Sequence, residues 1–259
     1  MQIPVVRLTV VKKVTFRKVV HSMTNQPGWA VVLLGEVFDV DDLRERLPAP
    51  FDPWVEVYSD PGGDGLVLRS KAWANLTEAR DVHMDADRIL ERLHGEALLY
   101  DPDSTRVLPG GVFNFHDDGR KDAIAVLHAA ELKVTLGRMR ARATGTTGGP
   151  PPPPSETDTQ KWFQRADNDD ARAELLSHIS RVKDWFDIYM VMEITRRVAG
   201  NRAKLKAALG TDCWEWDRVW RTANCKRHAP DPIKYPLPTP PSEFDRSRLL
   251  VFKVAKSLL

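Results

Sequence analysis

Hydrophobic and polar positions follow two different periods along this chain, one before and one after a run of glycine and proline. Before it, apolar residues come in short Val- and Leu-rich runs bounded by turn residues, the pattern of strands. The stretches VVRLTVVKKV at 5–14, VVLLGEVF at 31–38, ALLY at 97–100, VLPGGVFNF at 107–115, AIAVLH at 123–128 and LKVTL at 132–136 all read this way. VEVY at 55–58 and LVLR at 66–69 flank DPGGDG at 60–65, which predicts a hairpin. One helix interrupts the strands. Asn75 and Glu78 have capping-box spacing, Ala79, Val82, Ala86, Ile89, Leu90 and Leu93 follow at helical intervals, and Gly95 supplies a stop.

After the run the period becomes 3.6. A long helix is predicted over 170–199, with Leu175, Ile179, Val182, Phe186, Tyr189 and Met190 on one face. Shorter helices follow over 202–209, stopping at Gly210, and over 212–228. A last one covers 243–258, with Ser242 as its cap. The run itself, TGTTGGPPPPPS at 144–155, combines a flexible half with a stiff one and reads as a linker. The expected class is therefore α+β: a β-rich domain with one prominent helix over 1–143, the linker over 144–155, and a helical bundle over 156–259.

Composition narrows the setting. Hydrophobic residues make up 42% and charged residues 29% of the 259 positions, enough to build a core without disulfide staples. The two cysteines, Cys213 and Cys225, fit a reducing cytosol better than a secreted scaffold. No stretch approaches the length of a membrane helix or the uninterrupted core of a signal peptide, so a cytoplasmic protein without a membrane partner is expected. Charge is uneven. Residues 1–154 hold 19 Lys/Arg and 21 Asp/Glu, residues 155–195 hold 5 and 9, and residues 196–259 hold 14 and 6, a net of +8. A basic C-terminal face attracts polyanions, or it packs against the acidic segment before it.

The basic excess surrounds WEWDRVWRTANCKRHA at 214–229. On a helical wheel Trp216, Val219, Trp220 and Ala223 form an apolar stripe that reads as the anchor of the helix. Arg221, Asn224, Cys225 and His228 form a second, polar stripe. Lys226 and Arg227 are further cations for a nucleic-acid backbone. On the long helix Glu193 falls within the apolar face, where a carboxylate needs a partner. Arg221, Arg227 or His228 would supply one, and Glu193 would then orient it.

An Arg followed after six residues by His, late in a helical bundle, resembles the HEPN superfamily. Here the motif is Arg221 to His228, and the resemblance covers about residues 160–259. It implies RNA binding or metal-independent RNA cleavage in a homodimer whose two motifs share a cleft, as in toxins and phage-defence effectors. The N-terminal domain would then sense a signal or a protein partner. Thr222 departs from the Asn, Asp or His usual after the motif arginine. The chemistry is coherent: the ribose 2′-hydroxyl is the nucleophile, histidine moves a proton, a guanidinium steadies the phosphate, and Asn224 orients it. Arg221, Asn224 and His228 are thus the candidate catalytic residues. The alternative is a non-enzymatic interaction protein whose bundle docks a partner.

Other motifs carry less. DVHMDAD at 81–87 is metal-like in composition but suits the solvated side of a helix, and HDDG at 116–119 reads as a turn. PGG at 109–111 lacks the lysine of a phosphate loop. Neither a cofactor nor a metal is expected.

Overall fold

The computed structural model describes residues 26–60, 63–118, 120–124, 154–228, 234 and 236–259. The chain is α+β. Five antiparallel strands form one sheet in the order β2-β3-β1-β4-β5: β1 Gly28–Leu34, β2 Trp54–Asp60, β3 Gly63–Arg69, β4 Leu108–Phe115 and β5 Lys121–Ile124. The predicted hairpin is β2–β3, paired from Trp54–Arg69 to Asp60–Gly63. Strand alternation sorts the sheet's two faces. Val31, Leu68 and Val112 turn to the helix α2 (Ala79–Leu98), where Val82, Ala86, Ile89, Leu90 and Leu93 meet them. Ala30, Val67, Phe113 and Phe115 form a second cluster on the opposite face.

Several expected elements change. The run at 31–38 is two elements, because β1 ends at Leu34 and helix α1 (Val37–Arg46) begins beyond Gly35. The ALLY segment is no strand: α2 continues through Gly95 to Leu98. Gly95 does not stop the helix but lets another backbone approach, since a Cβ there would lie 2.0 Å from the Leu176 carbonyl oxygen. The expected Asn75–Glu78 box is also absent. Asn75 ends a 3₁₀ turn (Lys71–Asn75) capped by Ser70, and Glu78 occupies the N-cap of α2 without a side-chain capping bond. The strand candidates at 5–14 and 132–136, the end of the one at 123–128, and most of the linker lie outside the described residues.

The predicted 170–199 helix is two. Helix α4 (Asp170–Ile179) ends before Asp184, which opens α5 (Trp185–Ala199) with a reciprocal capping box to Asp187. The break resets the wheel. The buried face of α5 is Ile188, Val191, Met192, Ile194, Thr195 and Ala199, whereas Phe186 is 51% exposed and Tyr189 half-buried. An unpredicted helix, α3 (Asp158–Asp167), precedes α4 and starts with a Thr157–Gln160 capping box. Helices α6 (Arg202–Leu209), α7 (Cys213–Arg227) and α8 (Phe244–Leu258) match expectation in place. Glu243 rather than Ser242 occupies the N-cap of α8; the buried Ser242 instead donates its backbone N–H to Thr222 Oγ1 at 3.2 Å.

The helical core gathers Leu175, Leu176, Ile179, Ile188, Val191, Met192, Trp216, Val219, Val251 and Phe252. It is joined to the sheet core through α2 and α3. Leu98 and Leu99 belong to the helical core, and Phe163 of α3 belongs to the sheet core. Polar contacts lock this junction. The fully buried Gln160 side chain donates to the carbonyls of Pro48, Phe51 and Pro53 at 3.0–3.1 Å. Arg46 pairs with buried Glu96 and donates to Thr159 Oγ1 at 3.1 Å, and Arg181 grips buried Glu91 with two bonds.

Candidate nucleic-acid interface

The site is built by the seam between α5 and α7 and by α6 beside it. Trp216 is 4% exposed and Val219 and Ala223 are fully buried, so this stripe anchors α7 as its periodicity predicts. Thr222, the departure from the HEPN pattern, is buried too. Its hydroxyl donates to the Arg218 carbonyl at 2.9 Å and accepts from Ser242, which ties α7 to the start of α8. Trp214 is no anchor; it stands 63% exposed with the Arg218 guanidinium 5.0 Å over its ring.

The predicted polar residues divide. Arg221 and Lys226 are exposed, and no ion pair joins Arg221 to another described residue. Asn224, Arg227 and His228 are half-buried. His228 lies just past the last helical turn, with extended backbone, and Arg227 Nη2 is 2.9 Å from its Nε2. Arg221 thus lies about two turns before His228, and Arg227 engages the imidazole.

Glu193 has a different environment from the one expected. Because α5 starts afresh at Asp184, Glu193 sits at a seam edge with its side chain 39% exposed, not in the core. It accepts from the Tyr189 hydroxyl at 3.1 Å and lies 3.8 Å from Arg196, both on its own helix. Its link to α7 runs through Tyr189, whose ring meets Trp220 at 4.8 Å and carries the Arg227 guanidinium at 4.0 Å. Burial, reinforced by Glu193, raises the Tyr189 hydroxyl above its ordinary pKa, and Arg227 opposes the shift.

Beside this seam a groove of about 1460 Å³ opens between the end of α5, α6 and the start of α7. Arg196, Arg197, Arg202 and Lys206 line it against Glu193 and Asp217, with Trp216 and Trp220 in its wall. The Arg196 guanidinium lies over the Trp220 ring, 5.0 Å from its centroid, and Arg197 is bridged to Glu174 of α4 at 2.9 Å. Arg202 and Lys206 are exposed. Preorganised guanidinium groups and ammonium groups on one concave surface are suited to phosphate oxygens. Reading α7 alone missed this groove. The signals for it were the basic run R202-A-K-L-K206 and the RR pair at 196–197.

The metal-like DVHMDAD segment does not converge on a site. Asp85 accepts from Trp73 Nε1 at 2.8 Å, Asp87 pairs with Arg106 at 2.7 Å, and His83 is buried. Among the described residues no helix is long and apolar enough to cross a membrane. No family model, curated protein or solved structure matches this chain.

Proposed function

We propose that this protein binds RNA through its C-terminal helical region, in the HEPN-like manner that the Arg221–His228 spacing implies. The observation that carries the reading is the α5–α6–α7 groove: four cations face two carboxylates there, in the part of the chain with a net charge of +8. Further along α7 stand the half-buried Asn224 and Arg227, and Lys226 and Arg221 add exposed charge on the same helix. Backbone contacts of this kind supply affinity that falls steeply with salt. Cleavage, in the same reading, is metal-independent: the ribose 2′-oxygen attacks the adjacent phosphate, the P–O bond to the 5′-oxygen of the next nucleotide breaks, and a 2′,3′-cyclic phosphate and a 5′-hydroxyl result. One His228 takes the 2′-hydroxyl proton and the second gives a proton to the leaving 5′-oxygen, Asn224 orients the phosphate, and a guanidinium stabilises the developing charge. Each chain brings one such histidine, so an acid and a base together require a homodimer. A cytoplasmic defence effector or toxin, restrained or triggered by its sheet-bearing N-terminal part, fits this role.

Fluorescence anisotropy with labelled single-stranded RNA tests the binding. We expect affinity at low salt that weakens with rising salt, and a loss of about tenfold or more when Arg196, Arg202 and Lys206 are replaced together. Absence of binding at the lowest salt refutes the proposal. RNA degradation by wild type but not by His228→Ala, in chelator, would add catalysis.

The exposure of Trp214 favours a second reading, in which the bundle docks a protein partner without catalysis. RNA binding that is insensitive to the groove cations would favour it.

A further inference from the structure

Beyond Trp220, the last α7 residue of the groove wall, a series of guanidinium and aromatic groups continues along the α5–α7 seam. Arg196 lies over Trp220, Trp220 meets Tyr189, Arg227 lies over Tyr189, and Arg227 reaches His228. Each guanidinium lies over a ring, a cation–π contact that narrows the space it samples. Glu193 fixes the Tyr189 hydroxyl at the far edge of the same ring. The wheel explains the order: Arg227 is seven residues after Trp220 and returns to nearly the same face of α7, whereas Arg221, one residue after Trp220, is turned about 100° away.

A guanidinium only donates. At the 2.9 Å Arg227–His228 contact, Nε2 must therefore accept, and the imidazole proton is placed on Nδ1. We infer that Arg227, not Arg221, is the guanidinium that works with His228: it orients the imidazole and sets its resting tautomer, and it frees the Nε2 lone pair to take a proton when its own N–H groups turn to a phosphate arriving along the seam. Arg227 is a positioning residue for His228, and Tyr189 with Glu193 positions Arg227. Its use toward phosphate rests on the RNA-binding reading above; the tautomer does not.

The test uses the full chain with 15N-labelled histidine, the His228 signals being assigned through His228→Ala. In wild type the Nδ1–H form of His228 is expected. In Arg227→Ala and in Tyr189→Ala, which removes the ring beneath the guanidinium, the population shifts toward Nε2–H. Arg227→Lys keeps the charge without the planar fork and recovers the wild-type form only in part. Arg221→Ala leaves it unchanged. A wild-type tautomer in Arg227→Ala, or a shift in Arg221→Ala as large as in Arg227→Ala, overturns the inference. In the RNA arm, Arg227→Ala weakens binding by about tenfold or more and lowers the salt slope by about one, with a smaller loss for Arg221→Ala. The reverse ranking also overturns it. Wild type without RNA affinity removes the reading of the preceding section, and the tautomer result then decides the role of Arg227 by itself.

Discussion

The junction at α3 and the seam between α5 and α7 are built from the same kinds of side chain, arginine, carboxylate, amide and aromatic ring, yet they hold them differently. At the junction the groups are turned inward. Gln160 serves three carbonyls, and Arg46, 19% exposed, is shared between Thr159 and Glu96, which is 3% exposed. Along the seam the groups stop half-way to solvent. Arg196 is 53% exposed, Glu193 39%, and Arg227 and His228 are half-buried. A polar group whose bonds are all satisfied by protein in a dry setting fixes structure and is costly to disturb. One that lies over a ring and stays partly in water is cheap to disturb and ready for a ligand.

The comparison is broken most forcefully at Gly95. Gly95→Leu drives a side chain into the α4 backbone at Leu176 and should cost about 3–5 kcal/mol, seen as a lower chemical-denaturation midpoint. Gln160→Leu strands three carbonyls at the junction, for an expected loss of about 2–3 kcal/mol with RNA affinity retained at temperatures where the protein is folded. If that variant is as stable as wild type, Gln160 does not lock the junction.

Acid sharpens the contrast. His94 of α2 is held down to about pH 4, first by burial and then by Arg106. Its folded pKa lies below the unfolded value of about 6.5, so the unfolded chain binds the extra proton. The resulting stability is present above about pH 6.5 and is lost as pH falls toward about 4, by up to about 3 kcal/mol. His94→Asn should flatten that part of the stability–pH curve, which urea titrations across the range would measure. The smallest effect belongs to the seam. Arg196→Ala removes a partly exposed cation–π contact and should cost under about 1 kcal/mol of stability while weakening RNA binding. A large loss of stability there would erase the distinction between the two regions.

Long elements with one undisturbed period were legible in the chain. The β2–β3 hairpin, the apolar face of α2, the positions of α6 and α7, and the Trp216–Trp220 anchor all follow from spacing and turn residues. Misreadings cluster where one residue type serves two ends. Gly95 reads as a stop because glycine ends helices, but here it admits the α4 backbone. The 31–38 run reads as one strand because its apolar residues continue across the turn at Gly35. Both missed helix starts carried a capping signature, T157-D-T-Q160 and D184-W-F-D187, and the second would have moved Glu193 out of the core.

The α+β class, the basic C-terminal third and the Trp216–Val219–Trp220–Ala223 anchor of α7 were determined by the sequence, because periodicity and charge are properties of the local chain. Which arginine meets His228, where Glu193 finds its partners, and that α5, α6 and α7 enclose a cationic groove were decided only in the tertiary structure. Those contacts depend on how one helix is rotated against another. That rotation is set by the break at Asp184 and by core packing, which no single helix records.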